Sequence, residues 1–229
     1  MSDTDSFIEE VTEEVRRDRL FRLMRRYGWI AILAILLLVG GAAWNEWRKA
    51  QAREEAQAFG DSMLAALSEP DRTARAAALR DIDAPNPEAE AVVDLLTAAE
   101  TAGGDPETAA ARLLEIADRP ETGEVYRQIA TLKAVTLPDA GLSAETRRQR
   151  LEGLVSEGGI IRLLAEEQLA LIALETGDRS AAVERLTAIT SDAEATAGLR
   201  RRATQVIVAL GEDPPDIRRG APGAAGVLQ

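Results

Sequence analysis

The side chains of this chain that could carry out chemistry are almost all carboxylates and guanidinium groups. The 229 residues include 39 Asp and Glu and 27 Lys and Arg, but neither Cys nor His. Without Cys there is no thiolate nucleophile, disulfide or Cys-based zinc site, and without His the usual catalytic triads and His-ligated metals are absent. The net charge of −12 also argues against nucleic acid, which requires a basic surface. The composition therefore disfavours most classes of enzyme.

Carboxylates alone can still perform acid–base catalysis when two of them are buried together. Glu166, Glu167 and Glu175 are candidates, but acidic residues at this density are more simply the solvated faces of helices. Neither Gly103-Gly104 nor Gly158-Gly159 leads into the lysine of a phosphate-binding loop. We therefore predict no enzymatic activity and no catalytic, cofactor-binding or metal-binding residue. An envelope enzyme that uses only Asp, Glu and Arg remains as a minor alternative.

One stretch of the sequence has the composition of a membrane-spanning helix. No residue from Gly28 to Trp44 is charged. At 1.5 Å per residue this stretch covers about 26 Å, close to the thickness of the hydrocarbon core of a bilayer. Aromatic residues, which prefer the membrane interfaces, flank it at Tyr27, Trp29, Trp44 and Trp47. We predict a single transmembrane helix over residues 28–47.

The basic residues on the two flanks predict the orientation of this helix. Those before the span are Arg16, Arg17, Arg19, Arg22, Arg25 and Arg26, and those after it are Arg48, Lys49 and Arg53. Because the more basic flank stays inside, we expect a cytoplasmic N-terminus and a periplasmic C-terminal domain at a bacterial inner membrane. A cleaved signal peptide is the alternative, since residues 41–43 are small, but the long acidic region before the apolar core is atypical of one.

The segment before the span, residues 1–27, predicts an amphipathic cytoplasmic helix. Ser6 followed by Glu9 is typical of a helix start, and Phe7 and Val11 lie on one helical stripe. This helix could dock on a partner or lie on the lipid surface. A solvated helix whose arginines only fix the topology fits the sequence equally well.

The remainder of the chain predicts a helical domain over residues 48–211 and a disordered Pro/Gly-rich tail over 212–229. Ala, Leu, Glu and Arg, which favour helices, are abundant in this domain, and no strand pattern occurs. Gly, Pro and capping residues mark the helix ends. The predicted helices cover residues 50–67, 72–81, 88–101, 106–117, 123–135, 143–155, 160–175, 179–190 and 191–210. The last of these is assigned a capping box at Ser191 and Glu194.

Two turns of this domain share a spacing that indicates a helical repeat. After Gly104-Asp105 and again after Gly177-Asp178, Ala, Leu and Ile follow at equal offsets. These residues are Ala109, Leu113 and Ile116 in the first case and Ala182, Leu186 and Ile189 in the second. Two 34-residue units with a short insertion separate the turns, which predicts degenerate tetratricopeptide-like hairpins in an all-α solenoid. A generic helical bundle is the alternative, because the usual Trp and Tyr of the first helix are missing.

The concave face of such a stack is formed by the first helix of each hairpin and is the expected surface for binding partners. With the Gly-Asp turns as register marks, the candidate partner-binding residues are Asp94, Ala98, Thr101, Arg127, Thr131, Glu167, Leu171 and Leu174. Exposed leucines at 171 and 174 would suit an extended apolar segment, whereas burial of both would exclude that use.

In its order of features the chain resembles the tetratricopeptide-like ancillary subunits of the bacterial Sec translocon, most of all their alphaproteobacterial relatives. The resemblance rests on DSFIEEVTEEVRRDRLFRLMRRYGW before the span, on Trp44 and Trp47 after it, and on the two Gly-Asp hairpins. It implies contact with SecYEG, periplasmic chaperones or exported chains, and no small-molecule substrate. It does not explain the run Arg200–Arg202. An accessory or assembly subunit of another inner-membrane complex, such as a respiratory one, is the alternative.

Overall fold

The structure is a computed structural model that describes residues 3–213, with side chains described for 25–30 and 32–213. Its described part contains nine α-helices and no strand. The helices are α1 (Asp3–Leu67), α2 (Arg72–Arg80), α3 (Pro87–Thr101), α4 (Pro106–Asp118), α5 (Glu124–Thr136), α6 (Ala144–Val155), α7 (Gly159–Glu175), α8 (Arg179–Ser191) and α9 (Ala197–Ala209). The predicted amphipathic face before residue 25 and nearly all of the predicted tail lie outside the described side chains.

The first helix contains the apolar stretch. Its portion Arg25–Leu67 is long and apolar enough to cross a membrane by length and composition, and no residue of its most apolar window is buried. Leu36 and Leu38, for example, expose 63% and 74% of their surface. The chain divides after Ala58 into two compact units, and α2 to α9 belong to the second.

Helix starts follow from the capping residues in the sequence. Asn86 accepts a hydrogen bond from the backbone N–H of Ala89 at 2.8 Å, and Pro87 occupies the first helical position of α3. Asp105 and Asp178 accept equivalent bonds, each at 3.0 Å, at the starts of α4 and α8. These side chains satisfy N–H groups that a helix leaves unpaired at its first turn, so each turn predicted from a Gly-Asp pair is confirmed.

The predicted start of the last helix was wrong. Ser191 is the final residue of α8, and its hydroxyl donates to the carbonyl of Ala188 at 3.1 Å. The carboxylate of Glu194 accepts from Arg162 at 3.0 Å instead of closing a capping box. Thr196 caps α9, where it accepts from the N–H of Leu199. The carboxylate that the local pattern assigned to a helix start therefore forms an ion pair with an arginine 32 residues away.

The core of the second unit is distributed along the stack. One cluster joins α3, α4 and α5, a second joins α5, α6 and α7, and a third joins α7, α8 and α9. The repeated residues Leu113 and Ile116 in α4, and Leu186 and Ile189 in α8, are at most 4% exposed. Because α5 and α7 each contribute to two clusters, every hairpin is buried by its neighbours. This is the packing of an α-solenoid, and it confirms the predicted fold class.

Candidate partner-binding surface

The first helices of the hairpins form one row in the stack. The helix pairs α3/α4, α5/α6 and α7/α8 are consecutive and joined by short turns, so their members run antiparallel. Across the pairs, α3 contacts α5 and α5 contacts α7. The row α3, α5 and α7 is therefore the surface on which the candidate residues were placed.

The candidate side chains on α3 are either buried or hydrogen-bonded within the domain. The carboxylate of Asp94 accepts hydrogen bonds from Arg112 at 3.2 Å and from Arg119 at 3.0 Å. Ala98 is 1% exposed and belongs to the core cluster of α3, α4 and α5. The hydroxyl of Thr101 donates to the carbonyl of Thr97 at 2.8 Å. Ala98 lacks the accessible surface that a binding role requires, and the other two side chains are held by bonds within the domain.

The candidates on α5 are also engaged within the domain. Thr131 is 7% exposed, and its hydroxyl donates to the carbonyl of Arg127 at 2.9 Å. The guanidinium of Arg127 donates to the carbonyl of Pro120 at 3.4 Å, a long and therefore weak bond. Thr131 is therefore too buried to contact a partner, whereas Arg127 is partly exposed.

The three candidates on α7 come together in a groove. Leu171 is 41% exposed, Leu174 is half-buried, and both line a cavity of about 610 Å³ together with Glu167. The opposite side of this groove is formed by α9 and its C-terminal end, with Arg202, Gln205, Val206, Ala209 and Leu210. Leu186 of α8 lies at its floor. We call this cavity the α7–α9 groove.

Sequence reasoning missed the α9 side of this groove. Arg202 lies 35 residues after Glu167, about one helical repeat, and this spacing was a signal for their pairing. The sequence contains many other Arg and Glu residues at similar separations, so the spacing alone did not single out this pair. With the observed start, α9 takes the position of the first helix of a further hairpin after α7/α8.

An ion pair joins the two sides of the groove. The guanidinium of Arg202 donates to both carboxylate oxygens of Glu167, at 2.8 and 2.7 Å. The side chain of Glu167 is 11% exposed and that of Arg202 is 52% exposed. The hydrogen bond to Glu167 raises the pKa of the Arg202 guanidinium above its ordinary value. Two parallel hydrogen bonds hold the Arg202 and Glu167 side chains in a fixed orientation, and their opposite charges neutralise each other.

The three carboxylates considered for acid–base chemistry are each paired with a different arginine. Glu166 accepts from Arg185 at 2.5 Å, and Glu175 accepts from Arg147 at 2.7 and 2.6 Å. No two of them share a site in the way that paired catalytic carboxylates do. Within the described residues, no group of three or more Asp and Glu side chains could hold a metal ion.

The run Arg200–Arg202 divides among three surroundings. Arg200 donates to the backbone carbonyls of Asp192 and Ala193, Arg201 is exposed, and Arg202 pairs with Glu167. Since consecutive residues of a helix point in different directions, the run does not form one basic patch.

The packing and the groove together define a class of protein: a helical-repeat domain with an apolar groove, on a chain that also carries an apolar helix. Residues 25–146 match the family model of the tetratricopeptide repeat-like domain. The match covers more than half of the chain, and the chain belongs to this family. Such domains are generally non-catalytic and mediate protein–protein interaction. No curated protein and no solved structure matched the sequence.

Proposed function

We propose that this protein is a non-enzymatic scaffold, held in the bacterial inner membrane by one helix, whose hairpin stack binds proteins in the periplasm as an accessory to the Sec translocon and periplasmic chaperones. The α7–α9 groove is the observation that carries the binding role. It joins exposed Leu171 and half-buried Leu174 in an apolar cavity on the row of first helices. Exposed apolar surface of this kind marks interaction sites on proteins.

The membrane anchor is supported by the exposure of the apolar stretch. Side chains such as Leu36 and Leu38, left in water, would each forgo roughly 1.5–3 kcal/mol of burial free energy. A bilayer supplies that burial. One interface of this bilayer would then contain Trp44 and Trp47, whose ring centroids lie 5.2 Å apart. The other would contain Tyr27, with the guanidinium carbon of Arg26 5.8 Å from the centroid of its ring. The proposed segments are residues 1–27 in the cytoplasm, 28–47 in the membrane, 48–211 in the periplasm and 212–229 as a tail.

The orientation is tested by adding proteinase K to intact spheroplasts that carry the full-length protein. We expect the domain after residue 47 to be digested while an N-terminal fragment stays protected, because the basic flank holds the N-terminus inside. A cytoplasmic marker protein must remain intact as the control for sealed membranes. Survival of the helical domain in sealed spheroplasts would refute the periplasmic assignment.

The partner is tested by site-specific crosslinking in native membranes. A photoreactive amino acid replaces Leu171 in the groove, and a matched variant carries it at Val125, which is 62% exposed and does not line the groove. We expect Sec components, periplasmic chaperones or exported chains to be recovered from position 171 only. Recovery of a respiratory or other inner-membrane complex at fixed stoichiometry would instead support the accessory-subunit alternative and overturn the Sec assignment.

A further inference from the structure

The hairpin formed by α5 and α6 is joined more loosely than the other two hairpins. Its connecting loop, residues 137–143, has seven residues, whereas the turn between α3 and α4 has four and the turn between α7 and α8 has three. Asp139 and Gly141 in this loop both have a positive φ, of +56° and +68°. The two helices also contact each other less than the helices of the other hairpins do. The repeat of closely packed hairpins is therefore interrupted at this point.

The loop between α5 and α6 packs on the helices that precede it. Leu142 is half-buried against the core cluster of α3, α4 and α5. A Cβ atom at Gly141 would lie 3.4 Å from the Cγ and Cδ atoms of Glu107, near the start of α4. Ser143, by contrast, caps α6 by accepting a hydrogen bond from the N–H of Thr146. We call α2 to α5 with residues 137–142 the first half-stack, and α6 to α9 the second half-stack.

The buried apolar residues divide at the same place. Leu151 and Leu154 of α6 share a core cluster with three buried residues of α7. Val135 is the buried residue that α5 contributes to this cluster, whereas Ala130 and Ala134 of α5 belong to the cluster with α3 and α4. The apolar contacts of α6 are thus mainly with the second half-stack. Because segments with few buried apolar contacts open at a lower free energy than the core, the junction between α5 and α6 is the weakest in the stack.

The polar contacts across this junction are few and one of them is exposed. Arg150 on α6 donates to both carboxylate oxygens of Asp118, the last residue of α4, with one bond at 2.8 Å. The two side chains are 34% and 57% exposed. The amide of Gln128 on α5 also donates to Glu157, which follows α6. Among the described residues 59–213, all other ion pairs lie within one half-stack.

From this division of the contacts we propose that the hairpin stack bends at the junction between α5 and α6, and that the Arg150–Asp118 ion pair holds the angle observed in the structure. Bending moves the second half-stack against the first as a rigid body, while the helices within each half keep their contacts. The α7–α9 groove lies wholly within the second half-stack, so bending changes its direction relative to α3 without changing its lining. The inference goes beyond the proposed function and does not depend on the identity of the partner.

The test is a set of distances between pairs of spin labels, measured by pulsed electron paramagnetic resonance on the full-length protein in lipid nanodiscs. The chain has no Cys, so two introduced cysteines are the only sites for the labels. Ala111→Cys on α4 and Ala188→Cys on α8, both at exposed positions, form the pair that spans the junction. Ala77→Cys with Ala111→Cys, and Glu152→Cys with Ala188→Cys, are the control pairs within the two halves. Because rigid-body motion adds to the freedom of the labels, we expect the junction distances to be distributed at least about twofold more widely than those of either control pair.

Charge substitutions test whether the ion pair holds the angle. Asp118→Arg places two like charges together and should raise the population of altered junction distances by up to about fivefold, the range of an exposed ion pair. The double substitution Asp118→Arg with Arg150→Asp restores a pair of opposite charges and should restore the original distribution. Glu145→Arg is the matched control, because it breaks the exposed Arg148–Glu145 pair inside α6 and should leave the junction distances unchanged. Circular dichroism verifies that each variant folds.

The possible outcomes separate bending at the junction from general loosening of the stack. A wide junction distribution that responds to Asp118→Arg and recovers in the double substitution supports the inference. A junction distribution no wider than the controls overturns it, and so does equal broadening of all three label pairs. No response to Asp118→Arg, or no recovery in the double substitution, refutes the role of the ion pair. These results are independent of the spheroplast and crosslinking assays, so the junction can fail while the anchored scaffold stands.

Discussion

The substitution Leu186→Ala tests the packing of the stack most directly. Leu186 is fully buried in the cluster formed by α7, α8 and α9, and it also lies at the floor of the groove. Truncating a fully buried leucine removes apolar contacts and leaves a cavity, at a cost of about 2–5 kcal/mol. In a solenoid this cost is confined to the repeats that touch the site. We expect α7, α8 and α9 to be destabilised and α3 and α4 to be unaffected.

Hydrogen exchange measured by mass spectrometry resolves this expectation helix by helix. A loss of about 2–5 kcal/mol corresponds to a reduction of roughly 30-fold to 5,000-fold in the protection of amides that exchange through opening of α7–α9. Peptides from α3 and α4 serve as the internal reference. The matched control is Val208→Ala, which truncates a side chain that is 55% exposed, and it should change protection by less than about 0.5 kcal/mol.

Two results would refute the reasoning. An equal loss of protection from α3 to α9 would show one cooperative core, as in a generic helical bundle. A loss below about 1 kcal/mol in α7–α9 would show that the site collapses around the smaller side chain and that Leu186 does not hold these helices together.

Two further predictions concern the helix ends and the ion pairs. Asn86→Ala removes the cap of α3 and should lower the free energy of unfolding by about 1 kcal/mol in a urea titration, whereas Asn86→Asp should retain it; equal losses in both would contradict a capping role. The hydrogen bond from Arg162 lowers the pKa of Asp192, so this pair stabilises the fold above about pH 4 and loses that contribution as the pH falls through the lowered value. Asp192→Asn should therefore be less stable than the unmodified protein at neutral pH, with a difference that shrinks in acid; a difference independent of pH would contradict this.

The sequence was a good guide to the helices because their ends depend on local chemistry. The caps at Asn86, Asp105 and Asp178 each use a side chain and an N–H three residues apart, which any reader of the sequence can pair. The buried positions of α4 and α8, such as Ile116 and Ile189, were marked by a spacing that repeats along the chain. These features needed no knowledge of the tertiary packing.

The interactions that sequence reasoning missed join residues on different helices, far apart in the sequence. Glu194 resembled part of a capping box, but Arg162, 32 residues away, binds its carboxylate. Asp94 looked available for a partner, but Arg119 holds it from 25 residues away. The chain offers many arginines and many carboxylates, so local composition does not select the pairs. Which arginine pairs with which carboxylate is determined by the distances between the packed helices.

Composition and periodicity were therefore enough to specify an apolar helix ahead of a stack of helical hairpins, since both can be read along the sequence without knowing which helices pack together. Only the tertiary structure decided which of the predicted surface residues are accessible. It buried Ala98 and Thr131, and it brought Leu171 and Leu174 opposite α9. The physical reason is that the same helix face is filled where the next hairpin packs closely on it, and stays open where the last helix of the stack leaves a groove.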